Sequence, residues 1–148
     1  MSLLQRIEGD FLTAYKTRNT SLVAVLRMLK TAIKNRQVEL QRPLTDDEGL
    51  DLLLKQIKQR QESIAMYTKA GRIELADQEA LELELLRAYQ PQPLSADELG
   101  GLIDAVVAEQ GATSITDMGR VIQAIMTTHK GRVDGKAVSE LVRNRLSS

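Results

Sequence analysis

The sequence contains no cysteine and no tryptophan, and its only histidine is His129. Without thiols the chain cannot form a disulfide, a thiolate nucleophile or a zinc–thiolate site. A lone histidine is more often structural than catalytic, so we assign it no role. No Walker loop, dinucleotide fingerprint or zinc-ligand spacing occurs. We therefore predict no metal, no cofactor and no catalytic residue.

Long apolar runs are also missing. No stretch approaches the ~18 apolar residues that a membrane-spanning helix needs. Glu8 and Asp10 stand near the start of the chain, where a signal peptide would have an apolar core. With 43% hydrophobic and 27% charged residues, the 148-residue chain has an ordinary globular composition. We predict a cytoplasmic protein that has no membrane contact.

The net charge is zero, but the charges are unevenly distributed. Residues 1–70 carry a net charge of +4, residues 71–112 a net charge of −7 and residues 113–148 a net charge of +3. This distribution excludes a uniformly basic nucleic-acid-binding protein, although local basic surfaces remain possible.

Apolar residues recur at helical spacing along the whole chain, and no useful stretch alternates as a strand would. The first helix is predicted to bury Leu4, Ile7, Phe11 and Tyr15. The fourth is predicted to bury a stripe that includes Leu75 and Leu81. The sequence predicts an all-α fold with about four helices in its N-terminal part.

Proline marks the predicted boundary between two parts. Pro91 and Pro93 cannot continue a helix and hold the chain extended. Ser95 and Glu98 then form a capping box for the first of three further helices. The last of these is predicted to bury Leu141. We predict an N-terminal helical domain over residues 1–90 and a three-helix domain over residues 94–148.

Two acids of the fourth helix, Glu79 and Glu82, lie within its apolar arc. Buried carboxylates need a cation, and Arg60 and Arg72 are available. Paired carboxylates can also act as a general acid and base, but no nucleophile or metal set accompanies them. We predict a structural ion-pair cluster. A neighbouring polar stripe, consisting of Gln56, Arg60, Ser63 and Tyr67, is interpreted as a seam between helices, with a ligand groove as the alternative.

Basic residues form two rows on predicted helices. Arg27, Lys30 and Lys34 share one face of the second helix, and Lys55, Lys58 and Lys69 follow the third. Such rows bind phosphates, but many simply face water, and neither row contains an aromatic residue for base stacking.

The final loop has three more cations, Lys130, Arg132 and Lys136, around a glycine turn that leads into a helix. A helix N-terminus favours an anion. Asp134, the expected cap, would repel one. The six cations of this loop and of the second helix are our candidates for nucleic-acid binding.

Short motifs in a fixed order resemble the YqeY family over nearly the whole chain. They are residues 26–30 (LRMLK), 32–34 (AIK), 55–60 (KQIKQR), 62–64 (ESI), Tyr67, 70–72 (AGR), 75–76 (LA), Glu79, 82–83 (EL), 89–91 (YQP), 117–119 (DMG) and 131–136 (GRVDGK). Two positions depart from the family patterns YLP and GRADG, where this chain has Gln90 and Val133.

The YqeY family is similar to the tail of the B subunit of the glutamine-dependent aspartyl/glutamyl-tRNA amidotransferase. That resemblance implies a two-part all-α fold, a tRNA ligand and a link to carbon–nitrogen ligation with glutamine as the amido donor. The chain lacks the serine-rich amidase signature and the kinase-like cradle of that enzyme, so it cannot perform amidation alone. We predict a stand-alone module that binds tRNA or associates with the amidotransferase or other translation proteins. A protein-interaction adaptor without an RNA ligand is the alternative, and a small hydrolase is a third hypothesis.

Overall fold

The structure, a computed structural model, describes residues 2–147. These residues form seven α-helices and one short 3-10 helix, with no strand among them, which confirms the predicted all-α class. The helices are α1 (Leu3–Lys16), α2 (Thr20–Leu40), α3 (Asp46–Lys69), α4 (Ile73–Arg87), α5 (Ala96–Gln110), α6 (Met118–Thr128) and α7 (Gly135–Ser147). The 3-10 helix, Ile115–Asp117, precedes α6 directly. The chain divides into two compact units between Gln90 and Pro91.

Local capping interactions begin and end several helices. The Thr45 hydroxyl accepts a hydrogen bond from the Glu48 amide, and the Glu48 carboxylate accepts one from the Thr45 amide. Ser95 and Glu98 form the same box at the start of α5, as the sequence predicts. Helix α2 ends at Leu40, where Gln41 adopts the left-handed conformation. Pro43 therefore lies outside the helix.

The core of the first unit is formed where α1, α2, α3 and α4 pack together. Its most deeply buried side chains are Ile7, Val25, Leu26, Leu29, Leu53 and Leu86. Helices α3 and α4 pack together most extensively, as expected for two helices joined by a short turn at Gly71.

Three predicted core residues of the first unit are exposed instead. Tyr15 is 65% exposed, because each four-residue step advances about 40° around a helix and carries Tyr15 about 80° from Ile7. Ala14, about 20° from Ile7 by the same geometry, takes the buried position. Leu81 is 51% exposed because it lies about 160° around α4 from buried Leu83, and Leu75, in the first turns of α4, is also exposed.

The second unit has its own smaller core between α5, α6 and α7. Ile103, Val121, Ile125, Val138 and Val142 are all nearly inaccessible to solvent. The prediction that Leu141 lies inside is wrong: it is exposed, because it is adjacent to Val142 and lies about 100° around the helix from it. The amide of Leu94 donates a 2.9 Å hydrogen bond to the Arg132 carbonyl, which anchors the proline segment to the loop before α7.

Candidate nucleic-acid interface

The predicted basic row on α2 lies beside an aromatic side chain of α1. The two helices are joined by only three residues and pack side by side. The Lys30 ammonium is 4.1 Å from the centroid of the Phe11 ring and 3.0 Å from a carboxylate oxygen of Glu8. The Arg27 guanidinium is 5.9 Å from the same ring. Since a cation over an aromatic face is attracted by the ring quadrupole, Phe11 helps to hold two of the three cations in place.

A groove of about 510 Å³ follows this row, and we call it the α1–α2 groove. It is lined by Leu4, Ile7, Glu8, Phe11, Arg27, Lys30, Thr31, Ile33, Lys34 and Gln37. Arg27 and Lys34 are exposed and seven residues apart, which places them about 10 Å apart along the helix axis. Lys30, half-buried between them, is already paired with Glu8. Arg27 and Lys34 are therefore more accessible to a ligand than Lys30 is.

A second depression of about 610 Å³ lies next to the turn between the two helices, and we call it the Tyr15 hollow. It is lined by Tyr15, Arg18, Thr20, Val23, Ala24 and Arg27. The rings of Tyr15 and Phe11 are stacked, with centroids 6.4 Å apart and planes inclined by 30°. Arg27 lines both depressions, so they adjoin at this side chain.

The aromatic part of this surface was not predicted from the sequence. The basic row itself contains no stacking residue, and Phe11 and Tyr15 belong to α1, where the apolar spacing predicts them in the core. The helical angle between Ile7 and Tyr15 was the one signal in the sequence that could have placed Tyr15 outside the core.

The C-terminal loop offers its cations less freely. Arg132 Nε donates a 2.8 Å hydrogen bond to the Gln92 carbonyl, so this side chain helps to hold the proline segment. Asp134 accepts a 3.3 Å hydrogen bond from the Ala137 amide and thereby caps α7 with a negative charge. Lys130 is half-buried and Lys136 is exposed. The structure thus brings the three cations into one loop, with an acid at the helix N-terminus.

The predicted ion-pair cluster is reduced to a single pair. Arg60 Nε lies 3.5 Å from Glu82 Oε2, and Arg60 is only 5% exposed. The contact is a charge pair without a well-aligned hydrogen bond at Nε, although Nη1 reaches the Gln56 carbonyl at 3.4 Å. Among residues 2–147, Arg72 and Glu79 take part in no ion pair; Arg72 is exposed at the start of α4 and Glu79 is half-buried.

The neighbouring polar stripe is partly buried. Gln56 is buried with Arg60, and its side-chain oxygen has no hydrogen-bond partner, while Ser63 and Tyr67 are half-buried. The second basic row, Lys55, Lys58 and Lys69, faces solvent along α3.

Two kinds of site are absent from the described part of the chain. Residues 2–147 contain no group of three or more histidine, cysteine, aspartate or glutamate side chains placed to hold a metal ion. No helix in that range is long and apolar enough to cross a membrane.

A comparison with known families matches nearly the whole chain. The sequence model of the family described as Yqey-like protein matches residues 4–146. The chain belongs to the YqeY family. This confirms the resemblance inferred from residues 26–30, 55–60 and 131–136.

Fungal relatives are similar in sequence to this chain over most of its length. The chain is 28% identical over 147 residues to "Altered inheritance of mitochondria protein 41, mitochondrial" of Pyrenophora tritici-repentis, covering 95% of this chain and 79% of the relative. It is 32% identical over 113 residues to the protein of the same name from Eremothecium gossypii, covering 74% and 62%. The corresponding Saccharomyces cerevisiae protein is 26% identical over 139 residues, covering 89% and 70%. The chain therefore matches only part of each relative's length.

Proposed function

We propose that this protein is a non-catalytic RNA-binding module whose ligand is tRNA, as the similarity of its family to the amidotransferase tail implies. The observation that supports this proposal best is the surface shared by α1 and α2. There the exposed cations Arg27 and Lys34 lie beside two stacked aromatic rings. Cations that follow a phosphate backbone, together with an exposed ring that accepts a base, are the two elements of non-specific single-strand binding, and Tyr15 is the exposed ring here.

The binding is modest in affinity and sensitive to salt. Lys and Arg side chains bind phosphates by releasing condensed counterions, so each contact weakens as the salt concentration rises. The chain has zero net charge, and hence no net charge attracts RNA to it from a distance. The local row on α2 must supply the attraction, and it is effective mainly at low ionic strength.

The α1–α2 surface is the primary contact in this proposal, and the C-terminal loop is an accessory one. Arg132 is engaged with Gln92, and Asp134 places a negative charge at the start of α7. Lys130 and Lys136 are the cations of that loop that we assign to accessory phosphate contacts. The contacts of Arg132 and Asp134 are the reason for ranking the loop second.

Association with an amidotransferase or other translation proteins is a further part of the proposal. The chain would hold tRNA while separate catalytic subunits perform the carbon–nitrogen ligation.

The sequence predicts a cytoplasmic protein, whereas the names of the fungal relatives describe mitochondrial ones. Both compartments contain tRNA, and cell fractionation followed by immunoblotting distinguishes them.

Titration of labelled tRNA at two salt concentrations tests the proposal. We expect binding at low salt that weakens steeply as salt is added. The Arg27→Ala/Lys34→Ala variant should bind more weakly. Its log–log salt slope should fall, for each phosphate that is no longer neutralised, by about 0.7 on a single strand or about 0.9 on a duplex-like stem. The Lys55→Ala/Lys58→Ala variant removes the same charge from exposed positions of α3 and should bind nearly as tightly as the unmodified protein.

Two outcomes contradict the proposal. An absence of binding at low salt rejects tRNA as the ligand. An equal loss of affinity in both double variants shows that only overall charge matters and rejects the α1–α2 surface. The Lys130→Ala/Lys136→Ala variant measures the accessory loop while leaving the Arg132 contact with Gln92 intact.

A protein-interaction adaptor is the second candidate, and a different surface favours it. Near the turn between α3 and α4, Met66 is 72% exposed, and Ile73 and Leu75 are exposed as well. Exposed apolar side chains that form a contiguous patch are typical of protein-binding surfaces, and these three lie close together in the sequence. An adaptor would capture a protein partner whose binding depends only weakly on salt and is not displaced by tRNA.

A further inference from the structure

The Tyr15 hollow combines an exposed ring with two arginines. Tyr15 is 65% exposed, whereas Ile7 and Ala14 of the same helix are buried. Arg18 and Arg27, both exposed, line the same depression from the turn and from α2. Of the described residues that line the hollow, none is acidic. The surface is therefore complementary to a group that carries negative charge beside a flat aromatic face.

Arg18 occupies a backbone position that favours glycine. Its φ is 59°, in the left-handed region. The Asn19 amide bonds to the Ala14 carbonyl at 2.9 Å, and the Arg18 amide bonds to the Tyr15 carbonyl at 3.3 Å, which is the hydrogen-bond pattern of a Schellman motif. A side chain at this position is strained relative to glycine. The chain nevertheless has arginine here, and its side chain lines the hollow beside the Tyr15 ring.

We infer that the Tyr15 hollow binds an unpaired nucleotide of RNA, with its base stacked on Tyr15 and the adjacent phosphates held by Arg18 and Arg27. This inference rests on the proposed function and specifies which part of an RNA the surface recognises. A base inside a duplex has both faces covered by its neighbours, so only an unpaired base can stack on a side chain. The backbone then continues along the α1–α2 groove towards Lys34, which lines it with Arg27.

A nucleotide fits the surface better than an acidic peptide does. Carboxylates of a peptide would pair with Arg18 and Arg27 but would make no stacking interaction with the exposed Tyr15 ring. Stacking a base on an aromatic side chain contributes roughly 1–3 kcal/mol, and every base has a suitable face. The site is therefore expected to tolerate different base sequences and to discriminate by strandedness.

Binding of a short single-stranded RNA and of the same RNA in a duplex is the direct test. We expect the protein to prefer the single strand. Tyr15→Ala should weaken single-strand binding by at least about fivefold and leave duplex binding unchanged, whereas Tyr15→Phe should retain the affinity because it keeps the ring. The chain has no tryptophan, and Tyr67 and Tyr89 are more buried, so quenching of tyrosine emission reports on Tyr15. Tyr15→Phe should abolish most of that quenching.

Arg18 allows a second test in which loss of folding cannot explain loss of binding. Arg18→Gly should raise the melting temperature, because glycine relieves the left-handed strain, and should also weaken RNA binding. Gln41 is the matched control: it has φ 56° at the end of α2 and lines neither depression. Gln41→Gly should raise the melting temperature similarly without changing RNA affinity.

The outcomes separate this inference from the proposed function. Equal binding of single strand and duplex, with Tyr15→Ala as tight as the unmodified protein, overturns the stacking site and leaves the RNA-binding proposal standing. Failure to bind either RNA overturns both. Polyglutamate is the probe for an acidic protein partner. If it binds as tightly as RNA, and if Tyr15→Ala does not weaken its binding, the ligand is an acidic protein and the nucleotide site is rejected.

Discussion

The Tyr89 hydroxyl donates a 2.6 Å hydrogen bond to a carboxylate oxygen of Asp10, which ties the segment after α4 to α1. The Arg6 guanidinium lies 4.9 Å from the centroid of the same ring and donates to the Ala88 carbonyl. Tyr89 is itself buried in the core of the first unit. One side chain thus joins the beginning and the end of that unit.

Replacing Tyr89 with phenylalanine tests this connection. Tyr89→Phe keeps the ring in the core but leaves the Asp10 carboxylate without its donor, so we expect a loss of about 1–2 kcal/mol in unfolding free energy. Urea denaturation measures the loss, and Tyr67→Phe, at a half-buried position of α3, is the control. An unchanged midpoint in Tyr89→Phe would show that the hydrogen bond contributes nothing in solution.

The same residue predicts a pH dependence. Burial, followed by the hydrogen bond and the negative charge of Asp10, raises the pKa of Tyr89 well above its ordinary value near 10. In the unfolded chain the phenol ionises near pH 10, while the folded protein retains the proton. The contribution of Tyr89 to the stability of the fold is therefore fully present below about pH 10. It is lost as the pH rises above that value towards the higher pKa of the folded state. Tyr89→Phe should flatten this alkaline loss, which denaturation at pH values on either side of about 10 would measure.

The pair formed by Arg60 and Glu82 predicts a large effect of a single substitution. Glu82→Ala leaves the buried Arg60 guanidinium without its counter-charge, and we expect a loss of about 3 kcal/mol. Glu84→Ala removes an acid of the exposed Arg87–Glu84 pair on the same helix and should change stability by less than about 0.5 kcal/mol. Thermal melts of the two variants measure the difference. Equal melting temperatures would show that the buried pair contributes no more to stability than the exposed pair does.

Glu48 predicts a change in stability at acid pH. The hydrogen bond from Arg42, then that from the Thr45 amide, lowers the pKa of Glu48 to about 2. The unfolded chain binds this proton near pH 4.3, so the contribution of the ionised group is complete above that pH and is lost as the pH falls towards 2. The melting temperature of Glu48→Gln should therefore fall below that of the unmodified protein at pH 7, and the gap should close in acid. Glu39→Gln, in the exposed pair with Arg36, is the control.

The boundary between the two units remains a proposal that limited proteolysis can test. We expect the first cleavage near residues 90–95 or within the second unit, because its smaller core supports less stability. Arg132→Ala removes the hydrogen bond to Gln92 and should accelerate cleavage there. Arg120→Ala, which removes a hydrogen bond to Asp117 elsewhere in that unit, should not. Initial cleavage within α2 or α3 would contradict this organisation.

The capping box at Ser95 was predicted from the sequence, because its partner Glu98 lies three residues away and the sequence contains the whole interaction. The box at Thr45 and the left-handed Gly111 that ends α5 also depend only on neighbouring residues. The class of fold followed from these signals and from the helical spacing of apolar residues.

Features that join distant segments were not predicted. The bond from Tyr89 to Asp10 spans 79 positions, and no local pattern indicates it. The ion-pair cluster was predicted to contain Arg60, Arg72, Glu79 and Glu82. Of these only Arg60 and Glu82 form a pair, because the packing of α3 against α4 brings Glu82 but not Glu79 within reach of Arg60. The candidate interface was found only in part, since its cations lie on α2 and its rings on α1.

The sequence by itself determined the all-α class, because caps, turns and helical periodicity act over three to seven residues. Its motifs also determined membership of the YqeY family. The tertiary structure alone decided that Arg27 of α2 lines the same depression as Tyr15 and Arg18, and that Arg132 holds the proline segment. These relationships depend on which face each helix buries against its neighbours. That choice is made by packing the whole set of apolar side chains together, and no single segment contains it.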